Sequence, residues 1–128
     1  MQAFVIETAH HPGELARVAG TLAAHGINIT GLAAASIGDR STIIVLTDDE
    51  AGTRSAFRDG GITAREQEVV TASLEDRPGA AAERTRILAE AGVNIDFCFE
   101  TSSRDGRIIV ALGVNQPEKA RALVGSAA

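Results

Sequence analysis

Apolar residues along the chain alternate between strand-like and helix-like spacing, and the whole succession then occurs a second time. Ala3 to Thr8 is short, apolar and β-branched and stops at His10-His11-Pro12-Gly13, the pattern of a strand entering a loop. From Gly13 to His25, Leu15, Val18, Ala19 and Leu22 recur at helical spacing, and Gly26 stands where a helix end wants a left-handed residue. Asn28 to Ile37 and Ser41 to Thr47 flank Gly38-Asp39-Arg40 with the β-branched content and short connection of a hairpin. Asp48 and Asp49 offer an N-cap and favourable charge for a second helix, which runs to about Asp59 and stops at Gly60-Gly61. Ile62 to Glu68 then reads as a weaker, more polar strand.

From about Val69 the order returns. Val70 to Leu74 is a strand, Ala80 to Ala91 a helix, Asn94 to Ser102 and Arg107 to Val114 a hairpin around Asp105-Gly106, and Pro117 to Val124 a helix. Pro117 suits a first turn, where its missing N–H costs nothing. Subtracting 13 from 79, the glycines after the two prolines, and 28 from 94, the asparagines of the two Gly-x-Asn turns, gives one offset of 66. A repeat of that length is a duplicated supersecondary unit. By the same offset Ile62 corresponds to Ala128, so the second copy is expected to lack its closing strand. The fold expected is α+β: two ferredoxin-like βαββαβ units in tandem, residues 1–68 and 69–128, with antiparallel sheets carrying helices on one face. Strand Ile108 to Val114 is apolar on both sides, and Phe97 and Phe99 add bulk to its hairpin partner. A strand of that kind is buried on both faces, and a second sheet in a homodimer is the simplest cover.

Composition narrows the class. A chain of 128 residues is one ordinary domain or two very small ones, and the duplication favours two small units sharing a core. Aromatics make up 3% of the residues, with no Trp or Tyr, so that core is built from Ala, Val, Ile and Leu. A net charge of -5 and the lack of exposed aromatics argue against nucleic acid. The single cysteine, Cys98, excludes an internal disulfide and falls in an apolar stretch, where a buried small residue is expected. No leader pattern and no apolar run of membrane-spanning length is present, so a cytoplasmic location is expected.

Candidate chemistry sits in the repeated punctuation. Pro12-Gly13 and Pro78-Gly79 expose the first free N–H groups of a helix, which attract carboxylates. Upstream, Asp76 has a carboxylate for an ammonium group, and neutral His10 a weaker acceptor. Asn28 and Asn94, at the far helix ends, carry both a donor and an acceptor. Together the three elements suit a zwitterion. From spacing alone two accounts stay open, a ligand site and plain helix punctuation, because duplication copies punctuation as faithfully as it copies a site.

At these residues the chain resembles the ACT domain, a small ligand-binding regulatory module, present twice. Leu74-Glu75-Asp76-Arg77-Pro78-Gly79 followed by Leu88-Ala89-Glu90-Ala91-Gly92-Val93-Asn94-Ile95-Asp96 is similar to the regulatory region of aspartate kinases, and the likeness runs from Phe4 to Val124. The resemblance implies a binder of a small free amino acid at an interface between paired ACT units, with no catalytic group or cofactor of its own. It nominates His10 and Asp76, two before each proline, Gly13 and Gly79 after it, and Asn28 and Asn94 in the turn, with their neighbours Ile29, Arg77 and Ile95. The implied site combines the loop of one repeat with the turn of the other. His10 stands where Asp or Asn is more usual, so the Asp76 loop is the closer fit. Four residues before each proline, where some relatives place a histidine, this chain has Thr8 and Leu74.

Other readings are weaker on the same residues. His10, His11 and His25 lack a third, acidic ligand at useful spacing for a metal, and no nucleophile stands beside a base. His25 at a helix end reads as favourable C-terminal charge. The rival is an interaction module or regulatory subunit of an amino-acid biosynthetic enzyme, with no free-ligand site. In that reading Asp48, Asp49 and Glu50 with Arg54, Arg58 and Arg65 form a docking surface, though a solvated helix face explains them more cheaply.

Overall fold

Left-handed glycines close the helices where the sequence places them. In the computed structural model, which describes residues 1–125, the elements are β1 (Gln2–Ala9), α1 (Glu14–Ala24), β2 (Ile29–Ile37), β3 (Arg40–Thr47), α2 (Glu50–Asp59), β4 (Arg65–Glu75), α3 (Ala80–Glu90), β5 (Ile95–Arg104), β6 (Arg107–Val114) and α4 (Pro117–Val124). Gly26, Gly61 and Gly92 follow α1, α2 and α3 with φ of 68, 69 and 76°. The next residue then donates back into the helix: Ile27 to the Leu22 carbonyl at 3.0 Å, Ile62 to Phe57 at 2.8 Å and Val93 to Leu88 at 3.0 Å. These six-to-one bonds satisfy terminal carbonyls and drop an apolar side chain onto the helix it has just left.

That cap corrects one boundary. Ile62 begins no strand, because its N–H is spent on α2. The expected strands Ile62 to Glu68 and Val70 to Leu74 are instead one strand, β4, of 11 residues. Nothing breaks it, since neither glycine nor proline lies between Arg65 and Glu75. The expectation that the second copy lacks its closing strand turns on Ala128, which lies outside the described residues.

The chain divides into two compact units, Gln2–Gln67 and Glu68 onward. In the N-terminal unit β3 pairs antiparallel with both β1 and β2, and in the C-terminal unit β6 does the same with β4 and β5. Each unit has a helix-side core cluster of its own. Val18 and Leu22 of α1 and Ala56 and Phe57 of α2 meet Phe4, Ile6, Ile43 and Val45, so both helices lie on one face of that sheet. Leu88, Ala120 and Val124 meet Val70, Ala72, Leu112 and Val114 in the same way. The opposite faces are buried too, at Ala3, Val5, Ile44 and Leu46 in one unit and Val69, Ala111 and Gly113 in the other.

Two-residue turns close both hairpins. Gly38 alone has positive φ in the first, whereas Asp105 (53°) and Gly106 (74°) both do in the second, the geometries of type II′ and I′ turns. The copies also differ in length. Arg40 and Arg107 start equivalent strands, and 107 minus 40 is 67, one more than the offset at the prolines. The additional residue is Thr101, at a register shift in β5 that β2 lacks. The ungapped alignment therefore holds only as far as Glu100.

Candidate functional site

The β1–α1 loop turns on Gly13, whose φ of 95° places it in the left-handed region, where a side chain is strained. Glycine is thus required by the backbone, and the Cβ it lacks would meet no atom within 4 Å. No side chain caps α1. In α2, by contrast, the Asp49 carboxylate accepts from Gly52 N–H at 2.8 Å. The first turn of α1 therefore presents N–H groups without a side-chain acceptor.

Beside that turn His10 is fixed through its backbone and its ring. Its N–H donates to the Asp39 carbonyl in the hairpin turn at 2.7 Å, and its Nδ1 lies 2.9 Å from Ser36 Oγ. Ser36 donates to Ser41 Oγ at 3.1 Å, and Ser41 to the Ala35 carbonyl at 3.5 Å. With the hydroxyl protons running that way, Nδ1 is the donor to Ser36, and Nε2 is the acceptor left on the neutral ring. These groups form the polar end of a cleft of about 700 Å³, walled by Leu15, Ala16 and Ala19 of α1 and by Leu32, Ala34 and Ala35 of β2. That volume is in the range of small-molecule sites, which also combine an apolar wall with a few converging polar groups.

Glu14 closes the same end. Its carboxylate accepts from Thr8 Oγ1 at 3.1 Å and Arg17 at 3.4 Å, and faces His11 Nε2 at 3.1 Å. The Thr8 hydroxyl, followed by Arg17, holds its pKa below the ordinary carboxylate range. Sequence reasoning missed Glu14, Ser36 and Ser41. The signal for the serines was the hairpin register, which pairs Ser36 directly with Ser41 across the ladder.

The second loop is built differently. Gly79 again takes the left-handed conformation, at φ 88°, and Asp76 N–H donates to the Gly106 carbonyl at 2.8 Å, leaving its carboxylate exposed. Arg77 lies across the loop. Its guanidinium reaches Glu75 at 2.7 Å, Glu83 at 2.9 Å and the Pro78 carbonyl at 3.3 Å. Hydrogen bonding to Glu83 and Glu75 raises the Arg77 pKa, and the same contact lowers that of Glu83.

At the opposite helix ends the turn asparagines are held alike. Asn28 N–H donates to Asp48 Oδ1 at 3.1 Å, and Asn94 N–H to Asn115 Oδ1 at 3.0 Å. The return bonds, Asp48 N–H to Asn28 and Asn115 N–H to Asn94, are 3.1 and 3.2 Å. Both asparagines are exposed, while Ile29 and Ile95 pack against their own cores. A helix of 11 residues, roughly 16 Å long, separates His10 and Gly13 from Asn28. No unit brings its own loop and its own asparagine together.

Several other candidates have local roles. Asp48 and Asp49 bind backbone N–H groups, Glu50 accepts from Gln2 N–H at 3.1 Å, and Arg54 pairs with Glu66 at 2.7 Å, which accounts for most of the charges considered for docking. His25 Nδ1 lies 2.8 Å from the Thr21 carbonyl at the C-terminus of α1. Cys98 is exposed rather than buried: it pairs with Leu112 and so lies on the helix face, but on the outer strand β5, beyond the cover of the helices. Partial desolvation still pushes its thiol pKa up, away from the reactive thiolate. Among the described residues no three His, Cys, Asp or Glu side chains gather to hold a metal, and no helix is long and apolar enough to cross a membrane.

The fold is thus an α+β sandwich of the ferredoxin-like kind with a loop-and-helix cleft, and comparison with known proteins places it more narrowly. Residues 4–58, most of the N-terminal unit, match the model of the ACT domain family. The resemblance read from the sequence holds there. No curated protein matches the sequence. Among solved structures, protein BT0572 from Bacteroides thetaiotaomicron is similar at a TM-score of 0.84 and 22% identity, over 95% of this chain and 84% of that one. The ligand-free regulatory subunit of aspartate kinase from Thermus thermophilus gives 0.68 and 20%, over 96% and 88%. Clostridium acetobutylicum aspartate kinase gives 0.63 and 15%, over 97% of this chain and 31% of that one. At these identities the likeness is one of fold, that of aspartate kinase regulatory regions.

Proposed function

We propose that the chain is a non-catalytic regulatory protein made of two ACT units, acting in the cytoplasm, that binds a small free amino acid. The observation that carries this reading is the polar end of the α1 cleft, where His10, Ser36 and Ser41 form one hydrogen-bonded chain beside an uncapped helix start. A zwitterion fits such an end: carboxylate toward the helix N–H groups, ammonium toward Nε2 of neutral His10. Because Asn28 lies a helix length from His10, the asparagine that completes a site comes from another ACT unit, in this chain or in a second copy. A homodimer and an amino-acid biosynthetic enzyme are the protein partners this role calls for.

A thermal-shift panel of the twenty amino acids at millimolar concentration on the full chain tests the proposal. A ligand at 100 times its Kd adds about 2.7 kcal/mol of stability, readily seen in units this small. His10→Ala is expected to abolish the shift, and Asn28→Ala or Asn94→Ala to weaken it. No shift with any amino acid would sink the proposal in favour of a module that only docks on its enzyme. If both asparagine variants bind normally, the contribution from a second unit is wrong.

A further inference from the structure

The two units share the strand and helix framework around the α1 cleft but differ in the side chains at its positions. Leu15 and Leu32 are 41% and 43% exposed, large apolar side chains left facing solvent on either side of the α1 cleft, with Ala19 and Ala34 beside them. Uncovered leucines converging on a concavity mark a place where something apolar is bound. At the offset of 66 the C-terminal unit has Ala81, Thr85, Cys98 and Glu100 in those positions. Ala81 offers less apolar surface than Leu15, and Glu100 puts a carboxylate where Ala34 stands. A carboxylate on the wall repels an apolar side chain by the cost of its own desolvation.

We infer that the α1 cleft of the N-terminal unit selects amino acids with an aliphatic side chain, and that the equivalent surface of the C-terminal unit does not take them. This rests on the amino-acid-binding reading above and adds to it the ligand class and the unit. The ligand's head group sits at His10, Ser36 and Ser41, and its side chain lies between Leu15 and Leu32 over Ala19 and Ala34. No group in the apolar part of the wall pairs with a charged side chain, so lysine, aspartate and glutamate lose their hydration there without compensation. The difference between leucine and alanine as ligands is the burial of three carbons.

Isothermal titration of the full chain with leucine, isoleucine, valine, alanine, lysine and aspartate tests this. Leucine, isoleucine or valine is expected to bind at least about tenfold tighter than alanine, with lysine and aspartate weaker still. Leu32→Glu and Leu15→Glu should each reduce aliphatic binding at least about tenfold. Both positions are partly exposed, and an unchanged melting temperature checks the fold, with Leu32→Ser as the milder variant. Cys98→Glu, at the position equivalent to Leu32, should leave binding unchanged. If lysine or aspartate binds tightest and His10→Ala abolishes it, amino-acid binding stands and aliphatic selection is overturned. If no amino acid binds, both fall. Aliphatic binding that survives Leu15→Glu and Leu32→Glu, or is lost in Cys98→Glu, overturns the placement in the N-terminal unit.

Discussion

One rung of the two sheets shows how far the copies have diverged and what has stayed fixed. In the N-terminal unit Gly31 of β2 faces Leu46 of β3, and at the equivalent rung of the C-terminal unit Phe97 of β5 faces Gly113 of β6. Large and small have changed places across the ladder. The Phe97 ring lies where a Cβ on Gly113 would have to be, so the glycine is a steric requirement of its partner. The aromatics have moved as well. Phe4 and Phe57 meet edge to face in the first core, with centroids 5.8 Å apart, while Phe97 and Phe99 stack at 6.0 Å outside the second core, which is wholly aliphatic. The helix caps and asparagine turns, by contrast, match nearly bond for bond. Backbone hydrogen bonds accept few solutions, whereas apolar volume can be supplied from either strand.

The largest effect expected from breaking this comparison lies in the cores. Leu22 and Leu88 are fully buried and accept the six-to-one caps of α1 and α3. Leu22→Ala and Leu88→Ala should each cost about 2–5 kcal/mol. Because each unit has its own core, amide exchange should rise most in the unit that carries the substitution. Equal loss of protection in both units would show that the cores are not energetically separate.

Next is the exchanged rung. Gly113→Ala should destabilise by about 1–3 kcal/mol through overpacking against Phe97, and the added substitution Phe97→Ala should recover part of that loss. A neutral Gly113→Ala, measured by urea denaturation, ends the steric account. Asp49→Ala should cost about 1 kcal/mol by removing the α2 cap. Gln116, at the same place before α4, makes no cap and donates instead to the Gly92 carbonyl at 3.2 Å. Gln116→Ala should accordingly cost less, and a larger loss than for Asp49→Ala would reverse the assignment.

The smallest effect is set by pH. The folded Glu14 pKa is lowered, first by Thr8 and then by Arg17. Its contribution to stability is therefore present above the unfolded glutamate value, roughly 4.3, and is lost as pH falls through the lower folded value. Thr8→Val should raise the Glu14 titration midpoint seen by carboxyl NMR and lower stability at pH 7 but not at pH 2. The C-terminal unit has Leu74 in place of Thr8 and holds Glu83 low through Arg77 instead. Arg77→Leu should therefore move Glu83 and leave Glu14 in place.

Most of the fold was legible from period and punctuation. Both helical stretches ending in Gly-x-Asn, both hairpins and the Pro117 helix lie within a few residues of where apolar spacing puts them, because these features depend on neighbours along the chain. The β4 boundary was misread because a polar strand start and a helix cap look alike at Gly61-Ile62. The site was legible only in part. His10 and Gly13 line the cleft, but Ser36 and Ser41 gain their role from strand register, and Glu14 from the way the loop folds back on Thr8. Arg77 read as a flank of Asp76, yet it bridges Glu75 and Glu83 across its loop.

By itself, then, the sequence determined the duplication, the element order and where the backbone needs glycine, since these follow from local sterics and hydrogen bonding. The tertiary structure decided what the duplicated loops became. It joined His10 to Ser36 and Ser41 beside an open apolar wall in one unit, and laid Arg77 between two carboxylates in the other. Such contacts depend on which side chains converge from separate strands and helices, and the spacing along the chain does not specify that convergence.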